Sequence, residues 1–469
     1  MEAIVSHDPP VPESRHIVES IWRAAVQAVD SKRLVRQAIR VDGDQLLVAG
    51  QTIPLAELNR IEIVGAGKAG AGMALGTEEL LAQLGKKVSG WVNVPADCVQ
   101  PLKSIHLHPA RPAGINEPTE AGVAGSEEIL RRVASLGEGD LCLVLISGGG
   151  SALLPAPIDG VSLSDKALTI RRMSLAGAGI DELNCVRRQL SRVKGGGLAR
   201  ACRAQWMITL VISDVIGDPL EVIASGPTID FPTEPQRALE LLERFAPGLE
   251  GIPKPVVQAL LQQISNIQSA PPAARVSGNS RTASEKKTLQ HVSIIGNNQT
   301  AVDAAEREAR DRGLDVRVVG VGLAGEAQTV GRELADECLR LQPTITRRLC
   351  LISGGEPVVK VEKRSGPQKG GRNQELALAA LCRLIEQNAA GITILSGGTD
   401  GEDGPTDAAG AIADDAVAQA AAQLHLDPRM YLHDHNSYPL FQQTGGLLIT
   451  GPTHTNVMDV RVALVHPPG

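Results

Sequence analysis

The feature that most constrains this chain is a repeated punctuation: short runs of Val, Ile and Leu that stop abruptly at glycine or a small polar residue. The sharpest instance is Leu141-Cys-Leu-Val-Leu-Ile146, followed at once by Ser147-Gly-Gly-Gly-Ser151. The pattern recurs at Ile61 to Val64, Ile208 to Ile212, Val292 to Ile295, Leu349 to Ile352, Ile392 to Leu395 and Leu447 to Ile449. Runs this short and this apolar read as strands covered on both faces. Helical patterns separate many of them, at Glu78 to Leu84, Glu127 to Leu136 and Gln299 to Arg312. The order strand, loop, helix predicts an α/β fold with a mostly parallel sheet. Open sheets of that kind bind ligands outside the carboxyl ends of their strands, so chemistry is expected in the loops after these runs.

Aromatic residues are only 2% of the chain and glycines number 49, which implies an aliphatic core and many tight turns. At 469 residues the chain exceeds the roughly 300 that one core usually supports. Two domains are therefore expected, a Rossmann-like one at 1–267 and a smaller α/β one at 291–469. The aperiodic stretch Gln268 to Lys287 places a flexible linker or loop at 268–290, and the polar segment Glu362 to Gly371 reads as a mobile active-site loop or a long hairpin.

Net charge is 46 − 53 = −7 with no basic block, which leaves a nucleic-acid partner without an electrostatic footprint. No apolar run approaches the ~18 residues of a membrane span. The stretch Met1 to Glu19 lacks the regions of a signal peptide, so a cytoplasmic location is expected. Seven cysteines without a Cys-x-x-Cys pair read as reduced structural thiols. An acidic substrate must then be met by local positive charge.

Gly65-Ala-Gly-Lys-Ala-Gly70 follows a strand and opens a helix, where backbone N–H groups can meet a phosphate. Its G-x-G-x-x-G spacing also suits a dinucleotide, with Asp97 a poor ribose partner, but Lys68 within the turn favours phosphoryl chemistry. In Ser147, Gly148, Gly149, Gly150 and Ser151, successive glycines let N–H groups converge on an anion, and the hydroxyls add donors. Helical spacing over 187–194 predicts one face with Arg187 and Lys194 and another with Arg188 and Arg192. The first could grip a carboxylate or phosphates. Asp214, Asp218 and Glu221 follow a strand, where Asp214 and Asp218 suit Mg²⁺ or one carboxylate could deprotonate an acceptor. Later come Gly355 and Glu356 after a strand, Arg372 and Asn373 after two glycines, and a glycine-rich run containing Asp400. His433-Asp-His435 lacks the further ligands that zinc needs.

Taken in order, these segments resemble the class II glycerate kinase family, whose members end in a MOFRL domain. The resemblance is carried by Val64-Gly-Ala-Gly-Lys-Ala69, Leu145-Ile-Ser-Gly-Gly-Gly-Ser-Ala-Leu-Leu-Pro155, Lys194-Gly-Gly-Gly-Leu198 and Ser213-Asp-Val-Ile-Gly-Asp218 with its continuation to Thr228. It continues through Ser353-Gly-Gly-Glu-Pro357, Gly371-Arg-Asn-Gln-Glu375, Ser396-Gly-Gly-Thr-Asp400 with its continuation to Thr406, and Thr455-Asn-Val-Met-Asp459. It implies ATP- and Mg²⁺-dependent phosphorylation of D-glycerate to 2-phosphoglycerate, a Rossmann-like domain, a smaller α/β domain and a cleft between them holding Lys68 and Arg372. Asn456 falls in the last of these segments and is taken as a binding residue. A homodimer is compatible with this reading. The rivals are an NAD(P)H-dependent hydroxypyruvate reductase and a non-catalytic sensor of the same fold.

Overall fold

A computed structural model describes residues 13–115, 117–269, 288–361 and 368–468. Most of the linker expected at 268–290 and residues 362–367 of the expected active-site loop lie outside the described residues. The chain divides into two compact units, Ser31–Ile295 and Met1–Asp30 with Gly296–Gly469.

The first unit opens with an antiparallel meander of β1 (Ile39–Asp42), β2 (Gln45–Val48) and β3 (Gln51–Pro54). Its main sheet contains β4 (Arg60–Ala66), β5 (Lys87–Pro95), β6 (Ile105–Arg111), β7 (Asp140–Ile146), β8 (Trp206–Ile212) and β9 (Leu289–Gly296). Their order is β6-β5-β4-β7-β8-β9, and the pairings from β6 to β8 are all parallel. Counted from β4 this is the 3-2-1-4-5-6 arrangement of a Rossmann fold, whose order reverses between β4 and β7. Those two strands are in register through Gly65↔Leu145 and Ala66↔Ile146, so their loops leave the sheet side by side at the switch point. β7 and β8 are buried at every residue, as their unbroken apolar runs require.

The run at 292–295, assigned from sequence to the second domain, instead completes this first sheet. Leu289 N–H donates to Gln205 O at 2.8 Å, and Val292 and Ile294 pack on the first unit's core.

The second unit contains β10 (Asp315–Leu323), β11 (Leu349–Gly355), β12 (Ile392–Gly398), β13 (Gly410–Ala413), β14 (Leu447–Leu448) and β15 (Asp459–Val465), in the order β10-β11-β15-β12-β13-β14. Only β10 and β11 pair in parallel, so this sheet is mixed. β15 inserts antiparallel between β11 and β12, with Gly355 and Gly398 both opposite Asp459. Two Ser-Gly-Gly strand ends thereby flank one aspartate.

Helix Glu13–Ala28, expected in the first domain, belongs to this second unit. Its apolar stripe of Ile17, Val18, Ile21, Trp22 and Ala25 is buried, and Trp22 Nε1 donates to Gly397 O at 3.1 Å. Among the described residues no helix is long and apolar enough to cross a membrane. All seven cysteines are free thiols and six are buried.

Candidate functional site

The glycines of the Gly65 turn serve close contact. A Cβ at Gly65 would lie 2.0 Å from Leu145 O, and one at Gly67, where φ is +150°, 2.0 Å from Ser147 Oγ. The turn is interlocked with its neighbour: Lys68 N–H donates to Gly148 O (2.8 Å), Ala69 N–H to Ser147 Oγ (3.0 Å) and Ser147 N–H to Ala66 O (3.1 Å). Gly67 N–H donates to Asn93 O (3.2 Å) and Gly70 N–H to Gly67 O (3.1 Å). The Gly67 amide, expected to cradle a phosphate, is thus engaged by protein, and Gly65 lies within β4 in register with Leu145 of β7. What the turn can offer an anion is the Lys68 side chain.

The Ser147–Ser151 loop differs. Among the described residues the N–H groups of Gly148 and Gly149 meet no protein acceptor, and Gly149 holds φ +74°. The point where Gly149 would carry a Cβ is 3.4 Å from Arg111 Nη2 and 3.6 Å from Lys68 Cγ. Backbone amides without a protein acceptor, with two basic side chains beside them, are the kind of donors a turn can offer an anion. Gly150 packs against the start of the site, its missing Cβ 3.1 Å from Ala224 Cβ. Arg111 is 4% exposed at the end of β6. Sequence reasoning passed over it because only strand order brings it here.

Lys194 Nζ donates to Ser151 O (3.0 Å), to Ser151 Oγ and to Ser225 Oγ (3.4 Å), and the two hydroxyls are 3.0 Å apart. Ser225 is another site residue the sequence did not reveal. It lies in a left-handed run of Ala224 (φ 50°), Ser225 (63°) and Gly226 (60°). Two non-glycine residues there store of order 1–3 kcal/mol each, which persists only where the surroundings enforce it. The enforcement is visible in Gly195 N–H donating to Ser225 O (3.0 Å) and Gly196 N–H to Gly226 O (2.7 Å).

Helix Ile180–Gln189 ends before Lys194, so Arg187 and Lys194 do not share a helix face. Arg188 and Arg192 also part: the former lies 4.5 Å over the Phe231 ring and the latter pairs with Glu127. Arg187 nevertheless acts on Lys194 through space. Burial, then Lys166 and Arg187, hold the Lys194 pKa well below the usual lysine range.

Beyond β8, Asp214 and Asp218 are half-buried, Asp218 at φ 53°, and Glu221 is exposed. Among the described residues no group of three His, Cys, Asp or Glu side chains could hold a metal. Mg²⁺ does not need one, since it keeps water and takes one or two carboxylates with phosphate oxygens. Two carboxylates in the loop after β8, the strand beside β7, fit that demand. His435 Nδ1 lies 3.0 Å from both Glu375 carboxylate oxygens and His433 is exposed, an arrangement that does not suit zinc.

In the second unit Arg372 starts helix Arg372–Glu386 and makes a bidentate pair with Asp459, Nε to Oδ2 at 2.7 Å and Nη2 to Oδ1 at 2.8 Å. Glu356 adds a contact at 3.0 Å. Burial opposes the guanidinium's charge, but Asp459 and Glu356 more than offset it and raise the pKa. Asn373 is wholly buried: its Nδ2 meets Asp403 Oδ1 at 3.3 Å and its Oδ1 accepts from Ser396 Oγ at 2.6 Å. It braces the helix start. Asp403 caps the same helix, accepting from Asn373 N–H (3.0 Å) and Gln374 N–H (2.8 Å), and burial pushes its pKa up to about 6.

Gly355, at φ 144°, is also steric, since a Cβ would come 2.1 Å from Leu323 O. Asp400 and Asn456 are half-buried and accept locally, from Glu402 N–H (3.1 Å) and Met458 N–H (3.2 Å). Arg461 stands opposite Ser353 and Ser396, 1% exposed, with no hydrogen-bond partner on its guanidinium nitrogens.

Residues 17–261 match the model of a domain of unknown function, DUF4147, and residues 349–459 match that of the MOFRL family. The chain is 36% identical to a glycerate kinase of Danio rerio, with 96% of this chain and 97% of that protein covered. It is 34% identical to a D-glycerate 2-kinase of Thermotoga maritima, over 97% and 99%. A putative hydroxypyruvate reductase of Agrobacterium vitis is 33% identical over 96% and 94%. The crystal structure of a glycerate kinase from T. maritima superposes with a TM-score of 0.80, covering 97% of this chain and all of that one. With the Rossmann-ordered first sheet and the paired Ser-Gly-Gly strand ends of the second, these matches settle the lineage: the chain belongs to the class II, MOFRL-domain glycerate kinase family.

Proposed function

We propose that this protein transfers the γ-phosphate of ATP to the 2-hydroxyl of D-glycerate, giving ADP and 2-phosphoglycerate. The observation that carries the reading is the Gly148–Gly149 turn, whose N–H groups meet no protein acceptor among the described residues, with Arg111 Nη2 and the Lys68 stem beside Gly149 at the switch point of a sheet in a net-acidic chain. Phosphoryl transfer is catalysed mainly by positioning and by fixed positive charge around the moving group. The names of the Danio and Thermotoga relatives support the same reaction.

In this reaction the hydroxyl oxygen bonds to the γ-phosphorus as the bond to the bridging oxygen breaks and ADP leaves. Lys68, with the Gly148 and Gly149 amides, neutralises phosphate charge. Asp214 or a neighbouring carboxylate takes the hydroxyl proton, and Lys194 binds the glycerate carboxylate. Arg372 is assigned a catalytic role through its charge, which Asp459 keeps permanently present. Mg²⁺, held by Asp214 and Asp218, would supply positive charge to the phosphate oxygens.

Hydride transfer to hydroxypyruvate, the activity in the Agrobacterium relative's name, draws on the G-x-G-x-x-G spacing. The engaged amides of Gly67 to Gly70 count against it, because a dinucleotide pyrophosphate needs those donors. Purified protein given ATP, Mg²⁺ and D-glycerate should form ADP and 2-phosphoglycerate in equal amounts, resolved from the 3-isomer by phosphorus NMR. Consumption of NAD(P)H with hydroxypyruvate and no ADP formation would reverse the assignment.

A further inference from the structure

Beside the phosphate turn, three basic side chains lie together with no carboxylate paired to them among the described residues. Lys166 sits on helix Leu163–Leu175, opened by a capping box of Ser162 and Asp165 that occupies the carboxylate nearest in sequence. It is 8% exposed, and its Nζ has no hydrogen-bond partner. Arg187, in the last turn of helix Ile180–Gln189, donates to Asn184 Oδ1 at 3.2 Å. Lys194 is 5% exposed and held by Ser151 and Ser225.

The charges acting on this group are one another. Burial and then Arg187 bring the Lys166 pKa down to about 7, burial lowers that of Arg187, and Lys194 feels both neighbours. No carboxylate figures among these influences. Buried cations are ordinarily paired or neutralised. This set has no carboxylate partner among the described residues, and in the empty fold its lysines are pushed toward the neutral form; with the buried Lys166 Nζ unpartnered, an entering anion would supply the missing counter-charge, and the set adjoins the turn proposed for phosphate through Ser151.

We propose that Lys166, Arg187 and Lys194 form a pocket for the carboxylate of a small hydroxy acid, separate from the Gly148–Gly149 turn, and that this pocket restricts the acceptor to anionic molecules. The identity of the acceptor rests on the kinase reading above; the pocket itself does not. Ser151 belongs to both features, anchoring Lys194 while closing the phosphate loop. A carboxylate held by Lys194 therefore directs the hydroxyl on the adjoining carbon toward that loop, which is the regiochemistry of a 2-kinase.

The test compares wild type with Lys166→Met and Arg187→Met, in steady-state kinetics and in thermal-shift titrations with D-glycerate, glycerol and inorganic phosphate. Each variant should raise KM for D-glycerate about tenfold or more, the loss expected for a hydrogen bond to a charged group, with KM for ATP unchanged. D-Glycerate, but not glycerol, should raise the melting temperature of wild type, and unliganded Lys166→Met should melt no lower than wild type. An unchanged KM for D-glycerate overturns the proposal, as does a loss that falls on ATP or on phosphate protection. If wild type does not turn over ATP with D-glycerate, the kinase reading is lost, and the titrations still judge the pocket. Protection by D-glycerate present in wild type and absent in Lys166→Met supports it; equal protection overturns it.

Discussion

The two units hold arginine and lysine side chains under opposite electrostatic conditions. In the first, Lys166 and Lys194 are buried beside Arg187 with burial and mutual repulsion pushing their charge off. In the second, Arg372 is bracketed by Asp459 and Glu356, and its charge is fixed. A cation of the first kind stays available to a ligand at the expense of the empty fold. One of the second kind keeps its charge and is seated in the fold by the carboxylates that pair with it. The contrast teaches that similar glycine-rich strand ends can carry different tasks, and each substitution below separates affinity from stability.

The largest effect is expected at Arg372. Arg372→Met leaves Asp459, which is wholly buried, without its partner, and should cost about 3–5 kcal/mol of stability in a denaturant titration. A loss below about 1 kcal/mol would make the pair equivalent to a surface contact and erase the contrast. Lys68→Ala should instead leave the unfolding midpoint in place and lower kcat by roughly 10²–10³, the usual consequence of removing one fixed donor from developing charge. Near-normal turnover would remove Lys68 from the mechanism.

Asp403 gives a pH signature to the second unit. Its folded pKa of about 6 lies above the ordinary 3.8, so the folded state holds the proton more tightly than the unfolded chain. Its contribution is therefore fully present below about pH 4, is lost as pH rises through about 6, and amounts to about 2–3 kcal/mol. Unfolding free energies measured from pH 4 to 7 should show that slope, and Asp403→Asn should flatten it. The smallest effect is assigned to Gly67→Ala, whose methyl would meet Ser147 Oγ at a strained φ, at about 1–3 kcal/mol of stability. An unchanged melting temperature would show that the interlocked turns can part freely.

Much of the first unit was legible because its strands are unbroken apolar runs ending at glycine; β4, β7 and β8 lie where Ile61, Leu141 and Ile208 begin such runs. The second sheet was less so. β15 is equally apolar, but nothing local to Asp459–Val465 says that it runs antiparallel between two strands more than sixty residues upstream. The site shows the same limit. Glycine runs located both loops, yet whether an amide faces a ligand or a neighbouring carbonyl depends on pairing across the sheet, which reversed the reading of Gly65 and Gly67. Arg111, Lys166 and Ser225 carry no motif and enter only through strand order, burial and backbone conformation.

The placement of helix Glu13–Ala28 has a consequence for synthesis. Its buried stripe packs in a unit whose central strand, β15, ends at Val465. Made at about 5–20 residues per second, the intervening chain takes roughly 20 seconds to a minute and a half to emerge. Helix Asn298–Asp311, on which the segment also packs, arrives within that interval, but the seat against β15 is completed only when Asp459–Val465 emerges. A chain stalled before residue 459 would keep part of the stripe of Ile17, Val18, Ile21 and Trp22 exposed.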